Sequence, residues 1–320
     1  MEEIKLTGSL AAGSQAIFCR IGRGITIVVL AILPAMTGCA WLDVKQRLII
    51  YRPTLGVPAD FAGLRAQDQR YFVTVDNSAT PPLSPDAGRL DAPQQAEIWW
   101  LPHEEPGAPS LLYLHGTFRN LYQNVDKINA LRQAGFSVLA VDYRGWGRSS
   151  AIVPSEKSIV QDAGLAWREL VKHEPDASRR VIFGHSMGSG VAVGLASRLE
   201  PKRDFAAVIL ESAFTSFSEV SWQAGLIAGV LANFNAERFD SLSRIASIRA
   251  PLLMIHGSAD TTVPQVLGER LFAAAGQPKQ WVSISGGTHS GLQKDAPDLY
   301  QATLREFVQI FLADEKRATP

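Results

Sequence analysis

Val181-Ile182-Phe183-Gly184-His185-Ser186-Met187-Gly188-Ser189-Gly190-Val191-Ala192 is the stretch whose reading decides the fold. Its first half is apolar, β-branched and aromatic, as in a buried strand; its second half is small, as in a helix packed closely on its neighbours. Between them Gly184-x-Ser186-x-Gly188 has the spacing of a sharp strand-to-helix turn that lifts a serine clear of a sheet. Such a turn needs residues without a Cβ two positions to either side of the serine, because a side chain there would strike the adjoining strand or helix. It also leaves the Met187 N–H at a helix N-terminus, where the helix dipole suits it to receive an oxyanion. Five residues of glycine and serine are a weak signal alone, and a Gly-rich turn of another α/β fold would look the same. The flanking strand and small-residue helix make the nucleophile reading the stronger one.

Outward from this turn, strands and helices alternate. Residues 70–75 and 96–101 read as strands of partly alternating character, as near an antiparallel edge, and 76–94 as an exposed loop. Residues 110–115, 136–141, 180–184, 206–210, 251–256 and 280–284 read as further strands. Helices are expected over about 121–134, 157–173, 187–199, 265–275 and 296–313. Unbroken apolar strands alternating with helices predict an α/β fold, a mostly parallel central sheet with helices on both faces. Some forty residues without a strand separate Leu210 from Pro251. So long a connection reads as a small cap insertion at about 213–248, with an apolar helix over 221–231; a plain crossover helix is the alternative. Leu226, Ile227, Val230, Phe234 and Phe239 in it are candidates for an acyl pocket or for core.

A chain of 320 residues with 46% hydrophobic content can bury a large core. Lysine plus arginine equals aspartate plus glutamate at 31 each, so charge gives no reason to expect nucleic acid as a partner. The two cysteines, Cys19 and Cys39, both precede the main domain, which excludes a disulfide framework or a cysteine metal site within it. The six histidines show no H-E-x-x-H pairing, and neither metal nor cofactor is expected.

Residues 1–38 read as a signal or leader, 39–69 as a linker leading into the main domain, and 70–315 as that domain. Lys5, Arg20 and Arg23 precede an apolar run at 25–33, which ends in Met36-Thr37-Gly38-Cys39. A basic region, a short apolar core and small residues describe a secretory signal. Small residues directly before a cysteine resemble a degenerate bacterial lipoprotein signal, with Cys39 as the lipidated residue. An uncleaved signal anchor and a plain apolar tail are the rival readings, although Pro34 and Gly38 interrupt the uncharged stretch. The expected location is the cell envelope, anchored to the membrane on its periplasmic face.

A serine nucleophile needs a base, and the base an orienting acid. In a parallel sheet they belong in loops at the carboxyl ends of later strands. Strand 251–256 runs into His256-Gly257-Ser258-Ala259-Asp260, and strand 280–284 into Ser285-Gly286-Gly287-Thr288-His289. The order Ser186, Asp260, His289 makes Asp260 the orienting acid and His289 the base. A turn or helix-start residue is the bland reading of Asp260, and a surface loop histidine that of His289. His115, His185 and His256 fall inside turn motifs and read as structural. A second oxyanion donor is expected at the end of the strand before His115-Gly116-Thr117-Phe118, and Thr117 N–H is the candidate beside Met187 N–H.

Gly184-His185-Ser186-Met187-Gly188, His115-Gly116-Thr117, Asp142-Tyr143-Arg144-Gly145-Trp146-Gly147-Arg148-Ser149, Glu211-Ser212-Ala213-Phe214 and the loops of Asp260 and His289 together resemble the α/β-hydrolase superfamily. Within it they look like the Bem46 and ABHD12/13/17-type membrane-associated group, over roughly residues 70–315. That resemblance implies ester or thioester hydrolysis through an acyl-enzyme, on a small-molecule or lipid acyl substrate. Thr117 departs from the asparagine often found after His-Gly in that group, so only its backbone donor carries over. An acyltransferase or a serine peptidase would use the same residues, and a membrane-anchored scaffold without activity is the non-enzymatic alternative. Asp142 and Arg144 read as supports of the neighbouring turn.

Overall fold

The computed structural model describes residues 41–75, 93–117, 119–223, 225 and 237–312. The leader, Cys39, most of the loop 76–94, Phe118 and the cap residues Leu226, Ile227, Val230 and Phe234 lie outside these. The chain divides into two units, Met1–Gln46 and Arg47–Pro320. The described part of the first, 41–46, is helical. Everything below concerns the second.

Its strands are β1 (Gln69–Val75), β2 (Gln94–Leu101), β3 (Ser110–Leu114), β4 (Ser137–Asp142), β5 (Arg180–His185), β6 (Ala207–Glu211), β7 (Leu252–Gly257) and β8 (Lys279–Ile284). They form one sheet in the order β1-β2-β4-β3-β5-β6-β7-β8. β1 and β2 pair antiparallel at one edge, and every pair from β4 to β8 is parallel. The helices are α1 (Val125–Gln133), α2 (Glu156–His173), α3 (Met187–Ala196), α4 (Phe217–Gln223), α5 (Leu242–Ile245), α6 (Gln265–Ala274), α7 (Leu292–Asp295) and α8 (Pro297–Phe311).

The central strands are buried along their whole length, yet alternate residues serve different cores. Leu112, Leu114, Ile182, Val208 and Leu210 face one layer, with Ile159 of α2, Val191 of α3 and Leu267 of α6. Leu111, Tyr113, Val181, Phe183 and Ile209 face the other, with Ile128 of α1 and Leu304 of α8. This two-sided burial is why these strands read as unbroken apolar runs.

Three local differences from the sequence expectation have physical causes. The expected helix at 121–134 begins as a separate 3-10 turn, Leu121–Gln123, because Asn120 and Gln123 close a capping box there and the Asn124 N–H turns back to Leu121. α4 starts four residues ahead of the expected 221, where Ser216 Oγ takes the Glu219 N–H at 3.3 Å. Residues 47–68 do more than connect. Tyr51 is fully buried among Trp146, Phe217 and Phe239, Leu55 bridges to Gly147, and Phe61 packs edge-on to Tyr122.

The chain order reverses around β3, whose neighbours are β4 and β5. Loops leaving the carboxyl ends of strands on either side of such a reversal diverge and open a crevice. Five spatially consecutive strands, β3, β5, β6, β7 and β8, end at that rim.

Candidate active site

Ser186 follows β5 directly and has φ 54° and ψ −122°, left-handed for a residue with a Cβ. That geometry costs roughly 1–3 kcal/mol and persists only where neighbours enforce it. Here the Ser186 N–H donates to Glu211 O at 3.0 Å, and Ser186 O takes the Ser189 N–H at 2.8 Å. The two flanking glycines are sterically required. A Cβ on Gly184 would run into the Gly188 carbonyl, and one on Gly188 into the Leu114 carbonyl oxygen.

Ser186 Oγ lies 2.9 Å from His289 Nε2, and His289 Nδ1 lies 2.7 Å from Asp260 Oδ2. Asp260 is buried in the loop after β7, and its Oδ1 takes the N–H groups of Thr262 at 2.9 Å and Val263 at 2.8 Å. Burial pushes its pKa up. Hydrogen bonds from His256 and His289 and the Val263 N–H outweigh that and hold the carboxyl well below its ordinary value. A carboxylate only accepts, so the His289 proton sits on Nδ1 and its Nε2 lone pair faces the serine hydroxyl. The three sequence-predicted residues thus make one hydrogen-bonded line, able to remove the Ser186 proton as the oxygen attacks.

Gly116 and Thr117, after β3, share a small recess with Ser186 and His289. Gly116 has little freedom to change, since a Cβ there would come within 3.1 Å of Ser186 Cβ. Among the described residues, neither the Thr117 nor the Met187 N–H donates to a protein acceptor. The loop is fixed beneath them: Asn120 Nδ2 donates to Gly56 O at 2.9 Å, and the Leu121 N–H donates to Asp142 Oδ1 at 2.9 Å.

Ser212, which the sequence reading gave no role, and His185, which it read as structural, hold His289 from behind. The His289 carbonyl oxygen takes a hydrogen bond from Ser212 Oγ at 3.0 Å and one from His185 Nε2 at 3.0 Å. Burial, aided by the charge on Lys127, pulls the His185 pKa well down, so this ring stays neutral with its proton on Nε2. Below it Glu211 is fully buried, paired with Lys127 and accepting the Tyr300 hydroxyl at 2.8 Å. His256 donates from Nε2 to Val263 O at 2.9 Å. Of the expected supports, Asp142 anchors the loop after β3, and Arg144 pairs with Asp162 at 2.8 Å, both fully buried. Phe239, one of the acyl-pocket candidates, is core: it packs against Phe217 and Tyr51.

An eight-stranded, mostly parallel sheet with a serine on this turn defines an α/β-hydrolase, and the chain belongs to that superfamily. Residues 108–242 match the family described as serine aminopeptidase, S33. An uncharacterised protein of Mycobacterium tuberculosis strain H37Rv is 34% identical over 276 residues, covering 84% of this chain and 89% of the relative. The lysophosphatidylserine lipase ABHD12 of Danio rerio is 34% identical over 196 residues, 57% of this chain and 51% of that protein. Among solved structures, an esterase of Pyrococcus furiosus has the same fold, with a TM-score of 0.58 at 16% identity over 81% of this chain and 99% of its own. The protein is a hydrolase enzyme of this class.

Proposed function

We propose that the chain is a serine esterase or thioesterase working through an acyl-enzyme. The observation that carries this is the unbroken line from Ser186 Oγ through His289 to Asp260. Ser186 Oγ bonds to the substrate carbonyl carbon while its proton passes to His289 Nε2. The former carbonyl oxygen takes the negative charge, and the Met187 and Thr117 N–H groups donate to it. The imidazolium, stabilised by Asp260, returns its proton to the departing oxygen or sulfur as the bond from that atom to the carbonyl carbon breaks. A water then adds to the acyl carbon, giving its proton to Nε2, and the acid leaves as Ser186 regains a hydrogen. The ABHD12 relative, by name a lipase, supports an acylated lipid as the substrate class.

A fluorophosphonate probe and p-nitrophenyl esters of rising chain length test the reading. The wild type labels and turns over, while Ser186→Ala and His289→Ala lose the label and roughly 10³-fold or more in kcat. A folded wild type that neither labels nor cleaves any ester sinks it. Because the matched family is described as an aminopeptidase, aminoacyl p-nitroanilides belong in the same assay, and preference for them would make the enzyme a peptidase.

We also propose that Cys39 carries acyl chains that anchor the enzyme at the cell envelope, each buried CH₂ adding about 0.8 kcal/mol of membrane affinity. Labelled palmitate is then incorporated by the wild type and not by Cys39→Ala. Equal incorporation in both rules out Cys39 as the lipidated residue.

A further inference from the structure

The small recess around Ser186 continues into a cleft of about 410 Å³. Four residues line both: Arg119, Asn124, His289 and Ser290. The larger cleft is walled by polar side chains, Gln123, Thr261, Thr262, Thr288 and Gln293 among them, and Ala259 is its one aliphatic wall residue. The polar groups on this wall suit a polar part of a substrate.

The charges in the cleft are unbalanced. Lys294 pairs with Asp126 at 2.5 Å, and Lys127 pairs with buried Glu211 and donates to Gln293 at 2.9 Å. Arg119 is exposed, and among the described residues its guanidinium has neither a carboxylate partner nor a side-chain hydrogen bond. Its charge acts on Lys127, whose pKa is lowered first by burial and further by Arg119. The backbone carrying Arg119 is nonetheless held: its N–H donates to Thr117 O at 2.7 Å, and its carbonyl takes Asn124 Nδ2 at 3.3 Å. A guanidinium fixed at the root, unpaired at the tip and set where two cavities meet is built to receive an anion from outside.

Direction follows from the chemistry. The imidazole that protonates the leaving group must face it, so the leaving group lies on the His289 side of the scissile bond. That is the side of the polar cleft, whose wall includes Thr288, His289, Ser290 and Gly291.

We propose that the cleft binds the alcohol portion of the substrate, and that Arg119 recognises an anionic oxygen group on it, a phosphate or a carboxylate. This deepens the esterase reading, on which the orientation rests. The binding itself does not depend on turnover, so it is measured in Ser186→Ala by calorimetry with sn-glycerol 3-phosphate, D-glycerate and glycerol. One or both anions bind saturably and glycerol does not. Adding Arg119→Ala weakens that binding about tenfold or more, 0.5 M NaCl weakens it too, and Arg119→Lys retains part of it. Which anion binds tighter assigns the group as phosphate or carboxylate. In the catalytically intact protein, 1-decanoylglycerol 3-phosphate exceeds 1-decanoylglycerol in kcat/KM, and Arg119→Ala collapses the ratio between them. Arg203→Ala, at an exposed arginine paired with Glu200 and Asp204, leaves the ratio as it was. Absence of binding by both anions, or binding undiminished in the Arg119→Ala background, overturns the proposal. Anion binding that requires Arg119 in a protein that cleaves neither ester upholds the subsite and discards the esterase reading.

Discussion

Ser212 has φ 50° and directs its hydroxyl at the carbonyl of the base rather than at its ring. It is a positioning residue, fixing where the His289 backbone sits so that Nε2 meets Ser186. A hydrogen bond of this kind contributes about 1 kcal/mol, and each 1.36 kcal/mol of barrier is tenfold in rate. Ser212→Ala therefore lowers kcat about fivefold with KM nearly constant, read from steady-state ester hydrolysis; a rise in KM at unchanged kcat would make Ser212 a substrate contact instead. His115 offers a pH test. Burial pulls its pKa down to about 4, against the bond to the Gly116 carbonyl. The unfolded value is about 6.5, so below that pH the unfolded chain takes up the proton first. The contribution of neutral His115 to stability is whole above about pH 6.5 and is lost as pH falls toward 4. Imidazole ¹⁵N shifts should show this ring neutral at pH 5, and charging near pH 6 would contradict the burial argument. Ser186, Asp260 and His289 were legible because each sits in a strand-end loop with its own local signature. Ser212 and His185 were not, because their partner is a backbone oxygen 77 and 104 residues away that no side-chain pattern encodes.

At the scale of elements, the turn from β5 into α3 works because three backbones crowd one point. Gly188 lies against the Leu114 and His115 carbonyls, and Gly190 against Phe239. Gly188→Ala forces β3 away from α3 and costs at least about 3 kcal/mol, measured as a drop in the urea midpoint with little change in slope. A variant as stable as the parent would mean that the strand end yields freely. The crowding also explains what could be read beforehand. A glycine demanded by a neighbour still shows in the chain as a glycine, and two-sided burial still shows as an apolar run. Helix starts showed less well. The separate 3-10 turn ahead of α1 was set by the capping box of Asn120 and Gln123, and the start of α4 by Ser216, outweighing the hydrophobic pattern that had placed these starts elsewhere.

Over the whole larger unit, Tyr51 ties distant parts together. Its hydroxyl donates to Glu237, which also takes the Glu156 N–H at the start of α2, while its ring packs on Trp146 of the loop after β4. The sequence around it reads as linker because proline and glycine punctuate it, and local pattern carries no trace of contacts 186 residues away. Tyr51→Phe costs about 1–2 kcal/mol by leaving Glu237 short of a donor, and Tyr51→Ala about 3–5 kcal/mol by opening a cavity, both measured by equilibrium unfolding. A Tyr51→Phe cost near zero would assign the residue to packing alone.

The bond from the Ser186 N–H to Glu211 O has a kinetic consequence. It lies in the middle of an eight-stranded sheet, between strands buried on both faces. Amides so placed trade hydrogen for deuterium only when the entire sheet comes apart, whereas an edge such as β1, with alternate residues exposed, breathes on its own. Ser186 therefore hangs from the part of the molecule expected to exchange slowest. Heat should then abolish turnover and melt the sheet along one curve, with no inactive yet folded population before it.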